Sequence, residues 1–125
     1  MLSAQKKVLI IDDDDDAIEN LKKLLIDQTN FRVVGSITDS TLAVEAIRQH
    51  KPDLIFLDIQ MPGMNGLEIL NEIRKNDKLK NIKCVAFTAQ DKFQNKSFKD
   101  LGFDDVLIKP INPRTFTSFI KRLFD

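Results

Sequence analysis

Cysteine and histidine are almost missing: the 125 residues hold one of each, Cys84 and His50. A single cysteine excludes an internal disulfide framework and fits a reducing compartment. One cysteine with one histidine also excludes a zinc site built from those two ligand types. Glycine is scarce, with four in the chain, and no glycine-rich loop of the phosphate-cradling kind follows any apolar run. No apolar run approaches the roughly 20 residues of a membrane span, and no signal-peptide pattern follows Met1. An excess of one charge is lacking too, with 19 basic and 19 acidic residues and a net charge of zero. Nothing global therefore points to nucleic acid, an anionic membrane or an acidic substrate. The expectation is a cytoplasmic chain without direct contact to nucleic acid or membrane. Its length suits one domain spanning 1–125, with a core from about 7 to 123.

What is present is an alternation of short apolar runs and helical spacings. The runs are Val8 to Ile11, Phe31 to Ile37, Leu54 to Leu57, Cys84 to Phe87 and Val106 to Ile108. The first, third and fourth are unbroken runs of four apolar residues, as expected of parallel strands covered on both faces. Between them, Ile18, Leu21 and Leu25 share a helical face, as do Leu42, Ala43, Ala46 and Ile47. Leu67, Leu70 and Ile73 form a third face, and Phe116, Phe119, Ile120 and Leu123 form the last. A weaker fourth helix is expected from Phe93 to Leu101. Asn65 and Asn112, the latter followed by Pro113, are predicted N-caps. Gly102 is predicted to end the fourth helix in a left-handed conformation. His50 closes the second helix, where a cation suits the helix C-terminus. Strict alternation of strand and helix predicts a parallel α/β sheet with right-handed crossovers.

Chemistry concentrates at the predicted strand ends. Five consecutive aspartates, Asp12 to Asp16, follow the first run. Acids at a helix N-terminus are favoured by the dipole, which accounts for Asp14, Asp15 and Asp16. Asp12 and Asp13 instead sit at the carboxyl end of a strand, the edge where open α/β sheets bind ligands. The third run ends in Asp58, the fourth in Thr88-Ala89 and the fifth in Lys109-Pro110. If the first and third strands are neighbours, about 4.8 Å apart, Asp12, Asp13 and Asp58 converge on one patch.

Like charges about 4 Å apart repel by roughly 4 kcal/mol at an effective dielectric near 20. Three carboxylates facing Lys109 alone are under-neutralised, and a divalent cation relieves the repulsion. Oxygen ligands suit Mg²⁺, with Mn²⁺ as a substitute. A carboxylate in such a site can attack phosphorus to form an acyl phosphate. Lys109 can meet one phosphoryl oxygen as a point charge, and the Thr88 hydroxyl can donate to another. The small Ala89 leaves room for a donor to approach.

These residues resemble the receiver domains of response regulators, including the chemotaxis response regulator. The likeness covers Lys7 to Leu123 and rests on four landmarks in order. They are Val8-Leu9-Ile10-Ile11-Asp12-Asp13, Asp58-Ile59-Gln60-Met61-Pro62-Gly63-Met64-Asn65-Gly66, Phe87-Thr88-Ala89 and Lys109-Pro110-Ile111. The resemblance implies a doubly wound, flavodoxin-like sheet in the order 2-1-3-4-5 flanked by five helices. It implies Asp58 as phosphoacceptor, with Thr88 and Lys109 binding the phosphoryl group. Mg²⁺ is implied at Asp13, Asp58 and the Gln60 backbone carbonyl, with Asp12 mainly through water. A cis Lys109–Pro110 bond is implied as well. The phosphoryl donor is expected to be a histidine kinase or a histidine phosphotransfer protein. The output is expected to be a protein docked on the fourth helix, fifth strand and fifth helix, and not turnover of a substrate.

The chain departs from the family at Val106, where Tyr or Phe usually reports phosphorylation, and at Phe103, where a small residue is usual. Val106 is the feature that favours a phosphorylation-independent interaction module. A haloacid-dehalogenase-type phosphatase is the enzyme alternative, since Asp12 to Asp14, Thr88, Lys109 and Asp104-Asp105 superficially supply its set. The chain is short for that fold, and Asp58 and the Met61-Pro62-Gly63 turn would have no role. Cys84 and the last helix's phenylalanines are expected in the core. Phe124 falls off that face, and Lys92, Lys96 and Lys99 suit a solvated surface.

Overall fold

The structure, a computed structural model, describes residues 5–93 and 95–124. The strands are β1 (Lys6–Ile11), β2 (Phe31–Ile37), β3 (Leu54–Leu57), β4 (Lys83–Thr88) and β5 (Asp105–Ile108). The helices are α1 (Asp15–Ile26), α2 (Ala43–His50), α3 (Gly66–Lys75) and α4 (Pro113–Arg122), with a 3₁₀ turn at Ser40–Leu42. All five strands are parallel, in the order β2-β1-β3-β4-β5. This is the flavodoxin-like receiver arrangement that the resemblance implies.

Alternate residues of the central strands feed two cores, as the pleat requires. Leu9, Ile11, Ile55, Leu57, Cys84 and Ala86 face α2 and α3. Val8, Ile10, Leu54, Phe56, Val85 and Phe87 face α1 and α4. Burial on both sides is why β1, β3 and β4 read as unbroken apolar runs.

The predicted caps at Asn65 and Asn112 form, and Asp14 adds one that the dipole argument did not specify. Asp14 caps α1 by accepting from the N–H groups of Asp16 and Ala17. Asn65 and Glu68 make a reciprocal capping box at α3. Asn112 accepts from Arg114 N–H ahead of α4. α2 ends at His50, with Lys51 in the left-handed region at φ 46°. Gly102 is also left-handed, at φ 110°.

The fourth expected helix does not form, so four α-helices stand among the described residues in place of five. The connection from β4 to β5 carries an isolated bridge between Phe93 and Lys96, followed by turns. Its anchors are Phe98 and Phe103, both buried and packed edge to face with ring centroids 5.9 Å apart. Phe93, which packs against the same core, stands five residues before Phe98, which stands five before Phe103. That spacing does not match the helical period, so one continuous helix cannot bury all three rings. Gly102 accordingly closes a turn and not a helix. Leu42 is a second correction: it lies in the 3₁₀ turn and is 58% exposed, off the α2 core face. Phe124 packs on Phe31, with centroids 5.9 Å apart. Lys92, Lys96 and Lys99 are exposed, as expected.

Candidate functional site

The register of the sheet assembles the site. Ile11 pairs with Leu57, and Leu57 with Ala86, so β1, β3 and β4 end side by side. The ladder then runs one step further. Asp58 N–H donates to the Ile11 carbonyl at 2.9 Å, and Asp12 N–H to the Ile37 carbonyl at 3.0 Å. Lys109 N–H donates to the Thr88 carbonyl at 2.8 Å. Asp12, Asp58 and Lys109 are therefore the first residues past their strand ends and Thr88 the last within one, while Asp13 and Gln60 follow one and two residues further on. The Lys109–Pro110 peptide bond is cis.

Carboxylate oxygens of Asp12, Asp13 and Asp58 all lie within 4.8 Å of one another. Asp12 is 0% exposed and Asp58 7%, whereas Asp13 is open to solvent. Lys109 Nζ stands 2.6 Å from Asp12 Oδ2 and 3.8 Å from Asp58 Oδ2. Asp12 Oδ1 accepts from Asp14 N–H at 2.9 Å. Its Oδ2 is buried without a hydrogen-bond partner among the described residues, and the 2.6 Å approach of Lys109 is an ion pair outside hydrogen-bond directionality. Asp58 Oδ1 accepts from Gln60 N–H at 3.3 Å, which sets Gln60 against the carboxylate. Thr88 is 3% exposed, and its hydroxyl oxygen accepts from Gln90 N–H at 3.3 Å.

The electrostatics follow from this crowding. Burial pushes the Asp58 carboxyl up to about 7, and the Asp12 carboxylate pushes in the same direction. Lys109 and the Gln60 N–H act against both and do not offset them. Without a cation the pocket is short of positive charge. The donor set is oxygen only, with one buried carboxylate oxygen held by the Lys109 ion pair and by no hydrogen bond among the described residues, which fits a hard divalent cation and not zinc.

A family model described as the response regulator receiver domain matches residues 8–121. The chain belongs to the response regulator receiver family. Among curated proteins, this receiver is 38% identical over 117 residues to the transcriptional regulatory protein BtsR of Salmonella typhi. That match covers 94% of this chain and 47% of BtsR. The receiver thus spans about half the length of the curated relatives it matches. Among solved structures it is similar to the REC domain of AraT, a response regulator from Geobacillus stearothermophilus. The TM-score is 0.81 and the identity 30%, covering 94% of this chain and 92% of that one. The chemotaxis protein CheY4 of Vibrio cholerae gives a TM-score of 0.82 at 26% identity, covering 96% of this chain and 99% of that one. The receiver is a signalling domain of two-component systems, not a conventional enzyme.

Three supporting residues escape sequence reasoning. Ser40 is buried; its hydroxyl donates to the Pro62 carbonyl at 2.7 Å and accepts from Met64 N–H at 2.9 Å. It thereby ties the turn after Asp58 to the start of α2. Gly66 packs against the Asp58 carbonyl so closely that a β-carbon has no space. Arg74 donates to the carbonyls of Lys80, Ile82 and Gly102 and to Asp104 Oδ2, clasping α3 to the segments that lead into β4 and β5. Gly66 stands inside a quoted landmark and could have been flagged; Ser40 and Arg74 carry no local signal.

Proposed function

We propose that this receiver accepts a phosphoryl group on Asp58 from a phosphohistidine of a histidine kinase or histidine phosphotransfer protein. The observation that carries the reading is the convergence of Asp12, Asp13 and Asp58 within 4.8 Å at the sheet edge that Lys109 reaches. An Asp58 oxygen forms the new O–P bond as the P–N bond of the donor breaks. The departing imidazole nitrogen takes the bonding electrons. Hydrolysis reverses the modification: a water oxygen bonds phosphorus, the Asp58 O–P bond breaks, and inorganic phosphate leaves.

Mg²⁺, or Mn²⁺, would be held by Asp13, Asp58 and the Gln60 backbone carbonyl, with Asp12 acting through water. Bound there, the ion would neutralise charge developing on the phosphoryl oxygens. The chain's own residues do the rest. Lys109 leaves its ion pair with Asp12 to meet a phosphoryl oxygen, and Thr88 turns its hydroxyl to another. Because Lys109 N–H is bonded to the Thr88 carbonyl, the two move as one unit at the ends of β4 and β5. Output then passes to a protein docked on segment 89–104, β5 and α4, by a shift between two populations. Val106 leaves that switch without an aromatic rotor and is itself packed against the core beside α2 and α3. The domain spans 1–125 and works in the cytoplasm. No described helix is long and apolar enough to cross a membrane.

The test is amide NMR of the full chain with Mg²⁺ and beryllofluoride, a phosphoryl mimic, beside Asp58→Asn. The reading predicts shifts spreading from Asp58 through β5 in the parent and none in the variant. Shifts confined to the pocket would remove the output face; no shifts in the parent would remove the phosphoacceptor assignment.

A further inference from the structure

Lys109 has a third neighbour besides its two carboxylates. Its Nζ stands 4.7 Å from the centroid of the Phe87 ring, inside the distance at which a cation is attracted to an aromatic face. Phe87 is 1% exposed and belongs to the core beneath α1 and α4. Its orientation is fixed from behind by Phe56, whose ring packs edge-on with centroids 6.2 Å apart and planes at 74°. Phe56 lies two residues before Asp58 on β3, and Phe87 immediately precedes Thr88 on β4. The ring is therefore anchored to the same two strands that carry the reacting groups.

We propose that Phe87 is a positioning residue, an aromatic platform that holds the Lys109 ammonium over the carboxylate pocket. Lysine is a flexible four-carbon stem with a compact charge, and nothing in its own chemistry keeps it aimed at Asp58. Pro110 follows it directly, and Phe87, Lys109, Pro110 and Ile111 share a cavity of about 370 Å³ with Ala17 and Asn20 of α1. Without a ring under the ammonium, the side chain has that space to swing into. The negative face of the ring and the two carboxylates instead define one narrow location. From there the ammonium reaches Asp12 at 2.6 Å and remains 3.8 Å from Asp58. An aliphatic residue at 87 can occupy the core, at some loss of packing against Phe56, but offers no charge-attracting face.

The proposal rests on the assignment of Lys109 to phosphoryl binding, and the experiment separates the two. In the full chain with Mg²⁺, the Lys109 ε-methylene protons are assigned in the parent, Phe87→Leu, Phe87→Met and Phe87→Tyr. The parent and Phe87→Tyr should show these protons moved upfield by the ring current, and the Leu and Met variants should return them to the ordinary lysine position. Acyl-phosphate formation from acetyl phosphate is followed in parallel. It should fall about tenfold in Phe87→Leu and Phe87→Met, a factor equivalent to about 1.4 kcal/mol, and be retained in Phe87→Tyr. An ordinary ε-methylene position in the parent overturns the platform even if every variant misfolds. Equal rates in the parent and the well-folded Leu variant overturn it too, as does an equal loss in Leu and Tyr, which would mark simple packing. A parent that shows the ring-current shift but takes no phosphoryl group leaves the platform standing and removes the function assigned to Asp58.

Discussion

Gly66, the first residue of α3, lies directly against the carbonyl oxygen of Asp58. A β-carbon at position 66 would also meet Ile59 Cα at 2.9 Å and the Asp58 carbonyl carbon at 3.0 Å. All three neighbours are backbone atoms, so no side chain can rotate away to make room. Gly66→Ala therefore has to displace either α3 or the turn carrying Asp58. The expected loss is about 1–3 kcal/mol, the usual cost of overpacking, together with weaker Mg²⁺ binding. Urea unfolding and a magnesium titration measure both, and an unchanged unfolding midpoint contradicts the contact.

Ser40 supports the other end of the same turn. Ser40→Ala leaves the Pro62 carbonyl and Met64 N–H without their present partner. The expected destabilisation is about 1 kcal/mol, the net worth of a partly buried hydrogen bond, since solvent can reach Pro62 and Met64. Amide exchange should quicken at Met64 and stay unchanged in β2, a contrast that global destabilisation alone would not produce.

The raised Asp58 carboxyl gives metal-free protein and Mg²⁺ binding opposite pH trends. Its folded value of about 7 exceeds the ordinary 3.8, so between these limits the folded state holds more proton than the unfolded chain. This contribution to stability is complete below 3.8, declines as pH rises, and is gone above about 7. Magnesium needs the carboxylate and must displace that proton, so its affinity rises over the same window. Thermal melts should show a larger Mg²⁺-induced gain at pH 8 than at pH 6. Asp58→Asn should melt higher than the parent at pH 8 without metal and lose most of the Mg²⁺ effect. A gain independent of pH would remove the electrostatic account.

Arg74 is a structural clasp rather than part of the chemistry. Its guanidinium serves three carbonyls and the Asp104 carboxylate, and Asp104 in turn accepts from Cys84 N–H at 2.8 Å. A lysine cannot reproduce that planar fork. Arg74→Lys should speed amide exchange at Cys84 and Gly102 while leaving phosphorylation of Asp58 at the parent rate. Loss of phosphorylation in a folded Arg74→Lys protein would show that the clasp reaches the site.

The sheet and its acidic edge were legible because they depend on local patterns. Buried parallel strands leave unbroken apolar runs, and the residue that follows each run falls at the ligand-binding edge, so Asp12, Asp58 and Lys109 could be placed together. Asn65 and Asn112 were readable as caps because a cap is decided within four residues. The segment from Phe93 to Leu101 misled, because Phe93, Ser97 and Leu101 imitate a helical stripe. The rings that bury most deeply there, Phe98 and Phe103, follow a different spacing set by the core. Leu42 misled in a similar way: its periodic position held, but the chain enters α2 through a 3₁₀ turn that turns it to solvent. Ser40, Arg74 and the stacking of Lys109 on Phe87 join residues far apart in the chain, and no pattern in one sequence announces such pairs.

The phosphoacceptor assignment is tested most directly by intact mass after incubation with Mg²⁺ and acetyl phosphate, followed by peptide mapping of the adduct. The account predicts one phosphoryl group on the parent, located at Asp58, and none on Asp58→Asn or on the parent without metal. Equal labelling of Asp58→Asn, or an adduct mapped to Asp12, would contradict it.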